Sequence, residues 1–197
     1  MPHLLLKDLP PLTCLCESAK VFPELDPSAT DAFLNLLRTS DEAFAVTEKY
    51  LTTHNITQGR FCVMMLLWRG VQPDAAKLMG SDTCKGGPRT PAELADAAGV
   101  TRATMTGLID TLERDGFVNR VPDPVDRRMM SVVLTEKAIQ FLSDFLPGHF
   151  KVTASVMASL SEAERETLVC LLKKIQKQAA QLSSSQPTPS TSAVLVS

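Results

Sequence analysis

Between Thr90 and Leu134 the hydrophobic period of this chain switches from helical to extended with no long linker in between. "TPAE" (90–93) brings three helix-start signals together: Thr90 as N-cap, Pro91 at the first helical position and Glu93 at the third. The helix it opens is expected to end at Ala97 or Ala98, where Gly99 breaks it. Thr101 then caps a second helix, which Gly116 ends. Beyond Gly116 the period falls from 3.6 to 2. "FVNRV" (117–121) and "MMSVVL" (129–134) read as strands separated by "PDPVDRR" (122–128). Helix, glycine turn, helix, strand, loop, strand is the order of a winged helix-turn-helix.

The remainder reads as helical. Residues 1–27 are punctuated by Pro2, Pro10, Pro11, Pro23 and Pro27 and form an arm, with room for a short helix from Cys14 to Phe22. "SATD" (28–31) has capping-box form with Ser28 as N-cap, and a long helix is expected from there to Thr53. Thr57 caps the next, which is apolar nearly all round through Phe61, Met64, Met65 and Trp68 and so should be buried. Residues 71–89 form an extended connection. Thr135 caps a long helix toward Met157 that Pro147-Gly148 should kink or interrupt. "SEAE" (161–164) opens a last helix to about Leu182, followed by a Ser/Thr/Pro-rich tail, 183–197, expected to be disordered. The fold class is therefore mainly α with a small β-hairpin wing. The expected organisation is an arm (1–27), dimerisation and core helices (28–70), the connection (71–89), the winged lobe (90–134), C-terminal dimerisation helices (135–182) and the tail.

Bulk properties exclude several classes. The chain has 197 residues, 44% hydrophobic and 21% charged, with net charge -2, so any affinity for nucleic acid must come from a local patch. The longest apolar run, Cys62 to Trp68, is too short to span a membrane, and the N-terminus lacks the form of a signal peptide. Five scattered cysteines, an odd number, do not form a disulfide framework and point to a reducing cytoplasm. No phosphate-cradling glycine loop or nucleophile motif argues for an enzyme, and no cofactor is implied. His3, His54 and His149 are isolated, without metal-ligand spacing.

Within the second helix of the winged lobe, Met105, Leu108, Ile109 and Leu112 recur at core spacing. The outward face then carries Arg102, Ala103, Thr106, Gly107 and Asp110, with Thr104 at its edge. Small side chains permit close approach to a groove, and Arg or Thr can reach base edges. The loop between the strands places Arg127 and Arg128 where the minor groove's negative potential favours arginine, with Asp126 able to orient one of them. Local charge is balanced, however. From 100 to 130, Arg102, Arg114, Arg120, Arg127 and Arg128 face Asp110, Glu113, Asp115, Asp123 and Asp126. The alternative is a winged helix that serves only protein contacts. It predicts a recognition face without cations, against which Arg102 and the wing arginines speak.

The run "TPAELADAAGVTRATMTGLIDTLERDGFVNRVPDPVDRRMMSVVLTEKAIQFL" resembles the MarR family of bacterial transcriptional regulators, with similarity extending from about residue 29 to 182. The resemblance implies a homodimer formed by the first and last helices, bound to a pseudo-palindromic double-stranded operator, acting as a repressor in the cytoplasm at the nucleoid. It maps Thr101, Arg102, Thr104 and Thr106 to recognition-helix positions, and Asp126 and Arg128 to the wing's D-x-R, with Arg127 between. Gly107 departs from the larger polar residue that members often carry, and the 71–89 connection is longer than usual.

Family members often bind small aromatic or phenolic anions between dimerisation helices and DNA-binding lobe. Phe44, His54, Phe61, Met65 and Trp68 are the candidates here, although such residues at helical spacing also simply make cores. Some relatives instead sense oxidation through a cysteine near the first helix, which nominates Cys14 and Cys16.

Overall fold

The computed structural model describes residues 8–68, 88–122 and 129–185. The wing tip with Asp126, Arg127 and Arg128, most of the 71–89 connection and the end of the tail lie outside the described residues. Helices α1 (Leu12–Val21), α2 (Pro27–Thr53) and α3 (Gln58–Trp68) precede α4 (Pro91–Ala98), α5 (Arg102–Arg114), strands β1 (Val118–Pro122) and β2 (Met130–Leu134), and helices α6 (Glu136–Val156) and α7 (Glu162–Ser185). Two compact units divide the chain, one to Thr153 and one from Ala154.

Local chemistry explains most boundaries. The Thr90 side chain accepts from the Glu93 amide, and Glu93 Oε2 accepts from the Thr90 amide at 2.8 Å, a complete capping box. Gly99 closes α4 in the left-handed region at φ 65, where a side chain would be strained. Thr135 caps α6, accepting from the Ala138 amide at 3.2 Å, and Ser161 and Glu164 make the box that opens α7.

Three features of the helices differ from expectation. The N-cap of α2 is Asp26, not Ser28: Asp26 Oδ1 accepts from the Ser28 and Ala29 amides at 2.9 and 3.0 Å, and Pro27 takes the first helical position. A carboxylate is favoured there over a hydroxyl because it also faces the positive end of the helix dipole. These bonds, that from Ala29 foremost, hold the Asp26 carboxyl below its usual range. Secondly, α6 runs through Pro147 without interruption. Gly148 leaves room for Tyr50 against the helix backbone, since a Cβ there would lie 2.0 Å from the Tyr50 hydroxyl. That hydroxyl donates to the Phe145 carbonyl at 3.2 Å, supporting the turn around the proline. Helix α7 continues through Ser185, past the expected end at Leu182.

The core of the first unit is built around α3. Its Phe61, Val63, Met64 and Leu67 are buried together with Leu94 of α4, Met105, Ile109 and Leu112 of α5, Val118 and Val132 of the strands, and Leu142 and Phe145 of α6. The strands pair antiparallel, Val118 opposite Leu134 and Pro122 opposite Met130. Arg89 adds a bridge to Val132, so the residue before the α4 N-cap is tied to the wing's second strand.

Candidate nucleic-acid interface

Helix α5 presents one face inward and one outward. Met105, Ile109 and Leu112 have no exposed surface, and each contributes about 1.5–3 kcal/mol by burial, which fixes the rotation of the helix about its axis. Arg102, Ala103, Thr104, Thr106, Gly107 and Asp110 are then exposed, as the spacing predicts. Thr101 caps the helix, its hydroxyl oxygen accepting from the Thr104 amide at 3.1 Å. Thr101, Arg102, Thr104 and Thr106 are thus brought together at the N-terminal end, where a helix attracts phosphate.

The charge balance counted along the sequence resolves into specific pairs. Arg120 on β1 reaches back to α5, with Nη2 donating to Asp110 Oδ1 and Nη1 to Glu113 Oε2, while its amide meets Glu113 Oε1 at 3.3 Å. The Asp110 bond first, then the charges of Glu113 and Asp110, raise the Arg120 guanidinium above its ordinary value against the opposing effect of burial. Arg120 is therefore a clamp between strand and helix. It also neutralises two carboxylates on the helix that would otherwise repel phosphate. Arg102, by contrast, is exposed and makes no ion pair among the described residues.

A second cluster, which sequence reasoning missed, grips the C-terminal end of α5. Arg60 of α3 donates through Nη2 to Asp115 Oδ2 at 2.6 Å, and its side chain is only 13% exposed. Lys137 of α6 donates to the Asp115 carbonyl at 2.7 Å and lies over the Phe117 ring at 4.8 Å. The Thr135 hydroxyl donates to the Gly116 carbonyl at 2.8 Å. The Arg114 hydrogen bond, followed by the Arg60 charge, holds the Asp115 carboxyl below its usual range.

The ligand candidates separate. Phe61 is buried beside Phe145 at 5.3 Å, and His54 is exposed but set edge-on to the same ring at 5.0 Å. Tyr50 and His149, not nominated from sequence, complete that cluster, at 5.1 and 5.6 Å from Phe145. Met65 and Trp68 pack partly buried against the core, and Phe44 is 43% exposed elsewhere on α2. Cys14 and Cys16 are free and exposed on α1. Among the described residues no cluster of metal-ligating side chains occurs, and no helix is long and apolar enough to cross a membrane.

The MarR family model matches residues 85–130, from the end of the connection to the start of β2. The HTH-type transcriptional repressor YetL of Bacillus subtilis (strain 168) is 35% identical over 167 residues, covering 85% of this chain and 92% of that protein. The crystal structure of the transcriptional regulator PA4135 superposes with TM-score 0.56 at 28% identity, over 74% of this chain and 95% of the other. AbsC, a MarR family transcriptional regulator from Streptomyces coelicolor, shares the fold with TM-score 0.63 at 19% identity, over 80% and 97% of the two chains. A winged helix-turn-helix fold, together with a relative 35% identical over 85% of the chain, leaves one assignment: the chain belongs to the MarR family and is a DNA-binding regulator of transcription, not an enzyme.

Proposed function

We propose that the protein works as a homodimeric repressor on a pseudo-palindromic operator. The two copies of α5 enter successive major grooves about 34 Å apart, and the loops carrying Asp126, Arg127 and Arg128 lie over the flanking minor grooves. One observation carries the groove contact: at the exposed N-terminal end of α5 the cation Arg102 makes no ion pair among the described residues, whereas the acids further along the helix, Asp110 and Glu113, are held by Arg120. Large apolar side chains left exposed along two helices support the dimer. They are Phe33, Phe44 and Val46 on α2, and Val169, Leu171, Ile175 and Leu182 on α7.

For the signal, an aromatic small molecule fits best. The rings of Tyr50, His54, Phe61, Phe145 and His149 converge where α2, α3 and α6 meet. Oxidation of Cys14 or Cys16, both exposed, is the other route. Either would act by shifting the population between dimer geometries with different helix spacing.

Sedimentation of the protein with a duplex from its own upstream region tests the assembly. Two chains per site are expected, and Ile175→Glu should yield a monomer that has lost specific affinity. One wild-type chain per site would remove the dimer from the account.

A further inference from the structure

The recognition helix is rich in threonine, yet its hydroxyls are turned onto the helix itself. Thr106 Oγ1 donates to the Arg102 carbonyl at 2.9 Å, and Thr111 Oγ1 to the Gly107 carbonyl at 2.8 Å. The hydroxyls of Thr101 and Thr104 bond each other at 2.8 Å, and the former also accepts the Thr104 amide. A threonine whose hydroxyl bonds back to its own helix has its methyl as the free group.

Helical spacing of 100° per residue places Ala103 and Gly107 at the centre of the outward face, opposite Met105, Ile109 and Leu112, with Thr106 on its flank. Asp110, next on that face, is bound by Arg120. Between Arg102 at one end and the exposed Arg114 at the other, the middle of the outward face therefore offers an apolar strip rather than a row of donors.

Gly107 adds a second observation. A Cβ built there would meet nothing within 4 Å, and its backbone is not in the left-handed region. The fold thus imposes no glycine at this position, and glycine weakens a helix interior relative to alanine. The backbone of the helix is thus left bare at a point where the protein itself has room for a side chain, and another surface can approach it closely there.

In the major groove only thymine carries a methyl group. We propose that α5 reads thymine-bearing base pairs through their 5-methyl groups, with Ala103 Cβ and the Thr106 methyl making the apolar contact and Gly107 permitting the approach. The proposal rests on the reading of α5 as the groove-entering helix.

The test begins with the full-length protein and a pool of random duplexes, from which a preferred site is selected. Each thymine of that site is then replaced in turn by deoxyuridine, which deletes the methyl and leaves base pairing unchanged. Loss of about four-fold in affinity per contacted methyl is expected, and about fifteen-fold when the change is made in both half-sites. Thr106→Ser, which keeps the hydroxyl and removes the methyl, should weaken the thymine site by a similar factor and have no effect on the corresponding deoxyuridine site. A selected site that tolerates every deoxyuridine, or that has no thymine facing α5, would overturn the proposal and leave DNA recognition standing. A pool that yields no preferred site would overturn both.

Discussion

Arg60 on α3 and Asp115 at the C-terminal end of the recognition helix are 55 residues apart in sequence and 2.6 Å apart in space. This ion pair joins the helix that carries the core to the helix proposed to face DNA. The same end of α5 is held by Lys137 and Thr135 from the α6 side. A change in the packing of α3 therefore has a direct mechanical route to the recognition helix, without passing through the wing.

Breaking that joint should alter operator affinity without removing a DNA cation. Arg60→Gln is expected to weaken operator binding roughly two- to thirty-fold, the range found for positions that modulate coupling between sites. The dependence of affinity on salt should not change, because Arg60 is buried against Asp115 and neutralises no phosphate. A shallower salt slope in the variant would place Arg60 on the DNA instead.

Arg102 and Arg128 should behave differently from Arg60 and from each other. Arg102→Ala is expected to relax base preference at one position per half-site by about 1–3 kcal/mol, as loss of a bidentate base contact does. Uniform weakening across operator variants would make it a phosphate contact. Arg128→Ala should weaken binding to all sequences and lower the salt slope by about one. An unchanged slope would take Arg128 off the backbone.

Gly107→Ala should move stability and binding in opposite directions. Since nothing obstructs the added methyl, the folded protein gains about 0.5–1 kcal/mol, visible as a higher Tm. DNA affinity should fall. A variant both more stable and equally tight would show that the recognition helix does not approach closely at this point.

His149 supplies a pH dependence whose sign is fixed by its surroundings. Its Nδ1 is buried without a hydrogen-bond partner among the described residues, its ring stacks on Phe145, and Phe61 meets it edge-on. Burial lowers its pKa from the ordinary 6.5. The unfolded chain then binds the proton more readily than the native one. Stability from this group is complete above about pH 6.5 and is lost as pH falls toward the lower folded value. Thermal melts of His149→Phe should lack this part of the acid-side decline. An identical pH profile in variant and wild type would remove His149 as its source.

What could be read from the sequence, and what could not, follows the range of each interaction. The caps at Thr90, Thr101 and Ser161 depend on side chains three residues away, so their residue types and spacing were sufficient. Met105, Ile109 and Leu112 announced the buried face by period alone. At the start of α2 two capping residues lie close together, and local pattern could not decide that Asp26 displaces Ser28. That the helix continues past Pro147 rather than being interrupted was hidden for the opposite reason, since it is supported by Tyr50 from a distant part of the chain. The ion pairs were least legible. Counting charges from 100 to 130 gave a balance, but only the fold shows that Arg120 takes Asp110 and Glu113 while Arg102 stays open. Cluster membership of Tyr50 and His149 was hidden likewise, because it requires α2 and α6 to be brought together first.

The central claim is that two copies of α5 and its wing grip one operator. A hydroxyl-radical footprint of the protein on its own upstream region tests it most directly. The account predicts two protected backbone segments related by approximate two-fold symmetry, centred about one helical turn apart, with flanking minor-groove protection that Arg128→Ala reduces. Protection of a single unsymmetrical segment, or none at concentrations where the protein is a dimer, would contradict it.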